Sequence, residues 1–176
     1  MEEIKLTGEQ RREKLLAWLQ ESCPLTGSEL ARRASVSRQV IVQDMTLLKA
    51  RNHPILATSQ GYIYLTGSEE PKVEKVIACK HDRARTEEEL LLLVDHGVSV
   101  DDVIIEHPVY GQLTALVRVS TRNEAFEFIG RIQSTGASYL SELTGGIHLH
   151  TISAPDAERI EKVCAALKKA GFLVED

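Results

Sequence analysis

The chain has 176 residues, 43% of them hydrophobic and 27% charged, with a formal net charge of -5 at pH 7. This length favours two modest domains, and this composition excludes the disordered and membrane classes. No stretch approaches the roughly 18 apolar residues of a membrane span, and the start Met1-Glu2-Glu3-Ile4-Lys5 lacks the basic-then-apolar order of a signal peptide, so a cytoplasmic location is expected. Charge is unevenly spread: residues 1–68 hold nine Lys/Arg and seven Asp/Glu, a net of +2, which leaves -7 for residues 69–176. Because DNA binding draws on phosphate neutralisation, only the first part suits nucleic acid. Cys23, Cys79 and Cys164 are odd in number, far apart and without a Cys-x-x-Cys pair; they are read as small buried hydrophobes.

In chain order, Thr7-Gly8-Glu9-Gln10 offers a capping-box-like start, and residues 11–20 place Leu15, Leu16 and Leu19 on one helical face. Residues 24–29 lead into a second, short helix at Leu30-Ala31-Arg32-Arg33 that stops near Ala34-Ser35-Val36. Ser37 caps a third helix reaching about Ala50, with Val40, Ile41, Met45 and Leu48 spaced as a buried stripe. Residues 54–57 and 62–65 flank Thr58-Ser59-Gln60-Gly61 as strand, turn and strand. Thr66-Gly67-Ser68-Glu69-Glu70-Pro71 then interrupts the pattern as a linker. Residues 1–68 thus read as a winged helix-turn-helix, and residues 72–176 as a second domain.

In that second domain, residues 72–80 form a strand and Thr86-Glu87-Glu88-Glu89 opens a helix containing residues 90–94. Strands at residues 103–105 and 113–119 bracket His107-Pro108-Val109-Tyr110-Gly111. Residues 123–134 carry Ala125, Phe126, Phe128, Ile129 and Ile132 at helical spacing. Residues 139–143 and 147–152 read as two strands around the hairpin turn Thr144-Gly145-Gly146, residues 155–170 as a last helix and residues 172–174 as a closing strand. The fold class is α+β, with a C-terminal α/β-sandwich-like domain built on a mainly antiparallel sheet.

On the third helix, Ser37, Arg38, Gln39 and Gln43 point away from the apolar stripe. Arginine pairs with guanine edges and glutamine with adenine edges, so these are the expected base contacts. Arg32, Arg33, Lys49 and Arg51, with Gln60 at the wing tip, are the expected phosphate anchors. A three-helix interaction domain with a solvated polar face fits the same pattern.

The sharper chemistry lies further on. His148 and His150 leave one face of a strand together, a spacing able to grip a single metal ion. His81 ends the domain's first strand and Glu89 lies in the first turn of the following helix. Three imidazoles and a carboxylate suit a divalent transition metal such as Ni, Zn or Fe. Glu89 also stands three residues after Thr86, where a capping box would use it instead. His107, beside a proline, reads as a turn residue or as part of an effector pocket; His53 and His96 read as surface loop residues. No Gly-rich phosphate loop and no paired nucleophile and base are evident.

At this point the chain resembles a known family. Residues 25–31 (Leu-Thr-Gly-Ser-Glu-Leu-Ala) and 37–44 resemble the winged helices of small-molecule-responsive bacterial repressors. His81 with Thr86-Glu87-Glu88-Glu89-Leu90, then His107-Pro108-Val109-Tyr110-Gly111, then Gly146-Ile147-His148-Leu149-His150 resemble the three-histidine domain that accompanies them. The combination is that of the nicotinate-responsive repressors of NAD biosynthesis and niacin uptake. The resemblance implies a homodimer on a palindromic operator, nicotinic acid as co-repressor, and a transition metal on His81, Glu89, His148 and His150. A metal-sensing repressor without an organic effector, and a metal-dependent hydrolase fused to a DNA-targeting module, are the rival expectations.

Overall fold

The computed structural model describes residues 6–66 and 71–174. The expected linker falls largely on residues 67–70, outside the described residues. Contacts divide the chain into two compact units, residues 1–69 and 70–176.

In the first unit, α1 (Gly8–Glu21) and α2 (Gly27–Ala34) both begin with a complete capping box, Thr7 with Gln10 and Thr26 with Glu29. The threonine hydroxyl accepts from the third helical N–H while the N3 side chain accepts from the cap N–H, so two otherwise orphaned donors are satisfied at each end. α3 (Arg38–Ala50) starts at Ser37, whose hydroxyl accepts from the Val40 N–H at 3.3 Å. The strands β1 (Ile55–Thr58) and β2 (Gly61–Tyr64) form the antiparallel wing, and Leu25 adds a one-residue bridge to Tyr62. Leu15, Leu19, Leu30, Ile41, Met45, Leu48 and Ile55 make the core. Val40 is only partly buried, so the α3 stripe is narrower than its spacing suggests.

One polar group enters that core. Asp44 is 2% exposed and accepts from Arg11 Nε at 2.5 Å and from Arg12 Nη1 at 3.2 Å, tying α1 to α3. A buried carboxylate is tolerated because two guanidinium groups neutralise it and fill its lone pairs.

In the second unit the order is β3 (Val73–Lys80), α4 (Thr86–Asp95), β4 (Ser99–His107), β5 (Gly111–Val119), α5 (Arg122–Thr135), β6 (Ile147–Ala154) and α6 (Ala157–Lys169). The sheet order is β3-β6-β4-β5 with every neighbouring pair antiparallel. Alternate strand residues Ile77, Cys79, Val100, Val117, Val119, Ile152 and Ala154 share one core with Leu90, Leu93, Ala125, Ile129, Ile160, Val163 and Leu167 of the helices.

Three expectations need correction. Residues 139–143 are not a strand: Leu140–Thr144 is a 3-10 turn, because the Glu142 carboxylate reaches back to the Tyr139 N–H at 2.6 Å. Thr144-Gly145-Gly146 therefore joins a 3-10 turn to β6. Residues 172–174 supply one isolated bridge, Leu173 to Cys79, rather than a strand. Of the cysteines, Cys79 is buried, but Cys164 is partly exposed and Cys23 exposed.

Replacing Asp44 by alanine leaves two part-buried guanidinium groups without their carboxylate and is expected to cost about 1–3 kcal/mol. Urea unfolding followed by Trp18, the single tryptophan, reads this unit; an unchanged midpoint would show that the Arg11–Asp44–Arg12 network adds no stability.

Candidate metal centre and nucleic-acid face

The metal candidates come from three separate elements. His81 follows the end of β3, Glu89 lies in the first turn of α4, and His148 and His150 stand on the helix-covered face of β6. All four are buried, at 8%, 1%, 3% and 5% exposure respectively. They converge on the Glu89 carboxylate: His81 Nε2 is 2.7 Å and His150 Nε2 3.4 Å from Oε2, and His148 Nε2 is 3.4 Å from Oε1. The rings pack edge to face, with centroids 5.0 Å apart for His81 and His148 and 4.7 Å for His148 and His150. Phe172 walls the His81 side at 5.4 Å.

The capping alternative for Glu89 does not hold. A 3-10 turn, Arg83–Arg85, runs into α4, Thr86 is already helical, and no side chain caps the helix. Thr86 Oγ1 is buried without a hydrogen-bond partner, and Glu89 turns to the imidazoles.

The opposite ring nitrogens decide what this cluster can hold. His81 Nδ1 faces the Asp82 carbonyl at 2.7 Å, His148 Nδ1 the Gly146 carbonyl at 2.9 Å, and His150 Nδ1 the Asp102 carbonyl at 2.6 Å. A carbonyl only accepts, so each Nδ1 carries a hydrogen and each ring turns its Nε2 on the carboxylate; in a neutral ring that Nε2 is a bare lone pair. Lone pairs facing an anion in a buried pocket need a cation between them. Protonating the rings supplies positive charge: burial opposes it, but the hydrogen bond and charge of Glu89 raise the His81 pKa, and the Glu89 charge likewise raises that of His150. Burial also works against a charged Glu89, yet the facing imidazoles hold its carboxyl well below the usual range. Three imidazolium groups around one carboxylate would bury excess positive charge, whereas one divalent ion satisfies all four donors at once. The donor set and the carbonyl-held Nδ1 groups thus fit a transition metal.

Local backbone builds this aim. Gly146, at φ +91°, accepts through its carbonyl from both the His81 N–H at 3.3 Å and His148 Nδ1. A Cβ at Gly146 would run into the His81 carbonyl. On β4 a bulge lets the residues between Val100 and Ile104 outnumber their β6 partners. Asp102 lies in it, giving its carbonyl to His150 and a carboxylate oxygen to the Thr151 N–H at 2.8 Å. Asp102 has no motif signature, and pairing register alone reveals it.

Cys79 is the residue that sequence reasoning passed over. Its Sγ, a Glu89 carboxylate oxygen and a His148 ring nitrogen lie within 4.8 Å of one another. Burial, then the Glu89 charge, push its thiol pKa well up in the metal-free chain. The signal was its placement two before His81 on the same strand face, the alternation that exposed the His148 and His150 pair. His107 is not in the cluster; its Nδ1 accepts from the Val109 and Tyr110 N–H groups at 3.2 Å and holds the β4–β5 turn. His53 and His96 are partly buried, and His96 Nδ1 donates to the Leu92 carbonyl at 2.8 Å, closing the end of α4.

On α3, Arg38, Gln39 and Gln43 are exposed, and so are Arg32, Arg33, Lys49 and Arg51. Ser37 is exposed as well, but its hydroxyl serves the helix cap. Val42, 39% exposed between the polar side chains, was not foreseen and suits contact with a thymine methyl. Gln60 is partly buried, and its backbone N–H donates to Thr58 Oγ1 at 3.1 Å within the wing turn.

Residues 74–176 match the 3H domain family, and residues 11–63 match an HTH domain family. The chain is 59% identical to Transcription repressor NadR of Bacillus subtilis (strain 168), with 99% of each chain covered. It belongs to this family of transcription repressors. Probable transcription repressor NiaR of Thermotoga maritima is 40% identical with 98% of each chain covered. An uncharacterized protein of Methanothermus fervidus is 27% identical over 60% of this chain and 17% of its own length. Membership makes the chain a DNA-binding repressor, and it is the family that the separated histidine motifs resemble. Among the described residues no helix is long and apolar enough to cross a membrane.

Two substitutions probe the two faces. Gly146→Ala is expected to lower metal affinity at least about tenfold, measured as metal per purified chain, whereas Gly136→Ala, at a left-handed position with nothing near its Cβ, retains it. Equal metal in both variants would remove Gly146 from the centre. Arg38→Ala is expected to cost about 1–3 kcal/mol of operator binding in a gel-shift titration, and undiminished affinity would move the reading face elsewhere.

Proposed function

We propose that this repressor acts on genes of NAD metabolism, with nicotinic acid as co-repressor and a divalent transition metal, Ni, Zn or Fe, held by His81, Glu89, His148 and His150. The observation that carries the reading is the set of three Nδ1-to-carbonyl contacts, which aim three Nε2 atoms at one buried carboxylate. When bound, such an ion supplies a Lewis-acid site for a carboxylate ligand.

A cavity of about 360 Å³ adjoins His148 and is lined by Ile104, Ile105, Glu106, Thr144, Ile147 and Leu149. Its volume and largely aliphatic lining suit one small aromatic acid. In this reading the aliphatic side chains take the ring, while an ion held beside His148 would provide the positive end for the carboxylate. Arg38, Gln39 and Gln43 read bases in the major groove beside the Ser37 that caps their helix, and Arg32, Arg33, Lys49, Arg51 and Gln60 hold the backbone. The protein works as a homodimer, since two winged helices match a palindrome of half-sites one helical turn or a multiple of it apart.

Titrating nicotinate into metal-loaded and metal-stripped protein tests this. Operator affinity is expected to rise by about 1–3 kcal/mol with nicotinate and metal together, and not with either alone. Full regulation by metal alone would favour the effector-free metal sensor, and equal nicotinate affinity with and without metal would take the ion out of the effector site.

A further inference from the structure

The imidazole cluster has a neighbour of another chemical kind. Cys79 pairs directly with His148 in the β3–β6 register and is fully buried. Its Sγ falls within 4.8 Å of both a Glu89 oxygen and a His148 nitrogen. With metal–nitrogen and metal–sulfur bonds of about 2.0 and 2.3 Å, these atoms would have to draw closer together to share one ion. Glu89 Oε1 adds a second observation: it is buried, 3.4 Å from His148 Nε2, and has no hydrogen-bond partner.

Resting on the metal reading above, we propose that Cys79 is a further ligand, its thiolate binding the same divalent ion as Glu89 and the three histidines. Charge balance favours it. Imidazole ligands are neutral, so Glu89 alone would leave one uncompensated positive charge among buried side chains, whereas carboxylate plus thiolate match a divalent ion in the effector-free protein. As the metal–sulfur bond forms, the thiol proton leaves to solvent. A soft sulfur donor also biases the centre toward zinc, cobalt and nickel and away from manganese and magnesium.

Cobalt(II) loaded into the full-length chain separates the two readings. Nitrogen and oxygen donors give visible ligand-field bands, and a thiolate adds a near-ultraviolet charge-transfer band. The double variant Cys23→Ser, Cys164→Ser leaves Cys79 as the one cysteine and is expected to show both features; Cys79→Ser is expected to keep the visible bands and lose the near-ultraviolet one. By competition, Cys79→Ser should bind zinc at least about tenfold more weakly and manganese less than about threefold more weakly. Visible bands without the near-ultraviolet band in the double variant would overturn the assignment of Cys79 while leaving the histidine centre standing. No cobalt bands in any variant would overturn the histidine centre, and this proposal with it.

Discussion

Three main-chain carbonyls, those of Asp82, Gly146 and Asp102, determine what the second unit can bind. By accepting from Nδ1 of His81, His148 and His150 they set the tautomer and swing each ring, so that three Nε2 atoms meet at Glu89. Backbone held in a sheet and its turns does not rotate as a side chain does, so the aim is built before any ligand arrives. The rest of the unit serves this geometry. β3 and β6 pair in continuous register, α4 brings Glu89 over them, and Arg85 closes the far side by lying 4.1 Å over Phe172 and donating to the Ala170 carbonyl at 2.9 Å.

The first unit depends on a different interaction. Its helix starts are set by local capping, and the buried Asp44 is compensated by charge from α1, so α3 is locked to its neighbour through its inner face. That leaves Arg38, Gln39 and Gln43 exposed on the outer face of α3, while Ser37 caps the helix and Lys49 lies 5.9 Å over the Tyr62 ring. A recognition helix needs this arrangement, because side chains that read bases must be replaceable without unfolding the domain that carries them.

Much of this was legible in the residues. The capping box at Thr7 and the Ser37 cap use side chains three positions apart, a purely local signal, and α1 and α3 follow from it; the same box at Thr26 was passed over, and α2 begins at Gly27 rather than at the expected Leu30. His148 and His150 were legible because strand alternation puts both on one face. Apart from residues 139–143, where a local contact was missed, the failures lie where distant partners decide. Residues 139–143 read as a strand from composition, yet Glu142 bonding to the Tyr139 N–H curls them into a 3-10 turn. Glu89 allowed two readings until His81 and β6 were seen to approach it. Asp102 and Cys79 carried no pattern beyond their own strands, since what matters about them is which residue lies across the ladder.

The β4 bulge has a further implication for how this centre tolerates change. Against β6, β4 takes four steps from Val100 to Ile104 while its partner takes three, from Ile152 to Leu149. The surplus residue works as a spacer that turns the Asp102 carbonyl toward the His150 ring. A one-residue deletion there would even the count against β6, but it would widen the mismatch against β5, which takes three steps from Val119 to Leu116 while β4 takes two from Val100 to Asp102. It would also lose an imidazole's orientation, so the irregular register of β4 is bound to the chemistry of the centre.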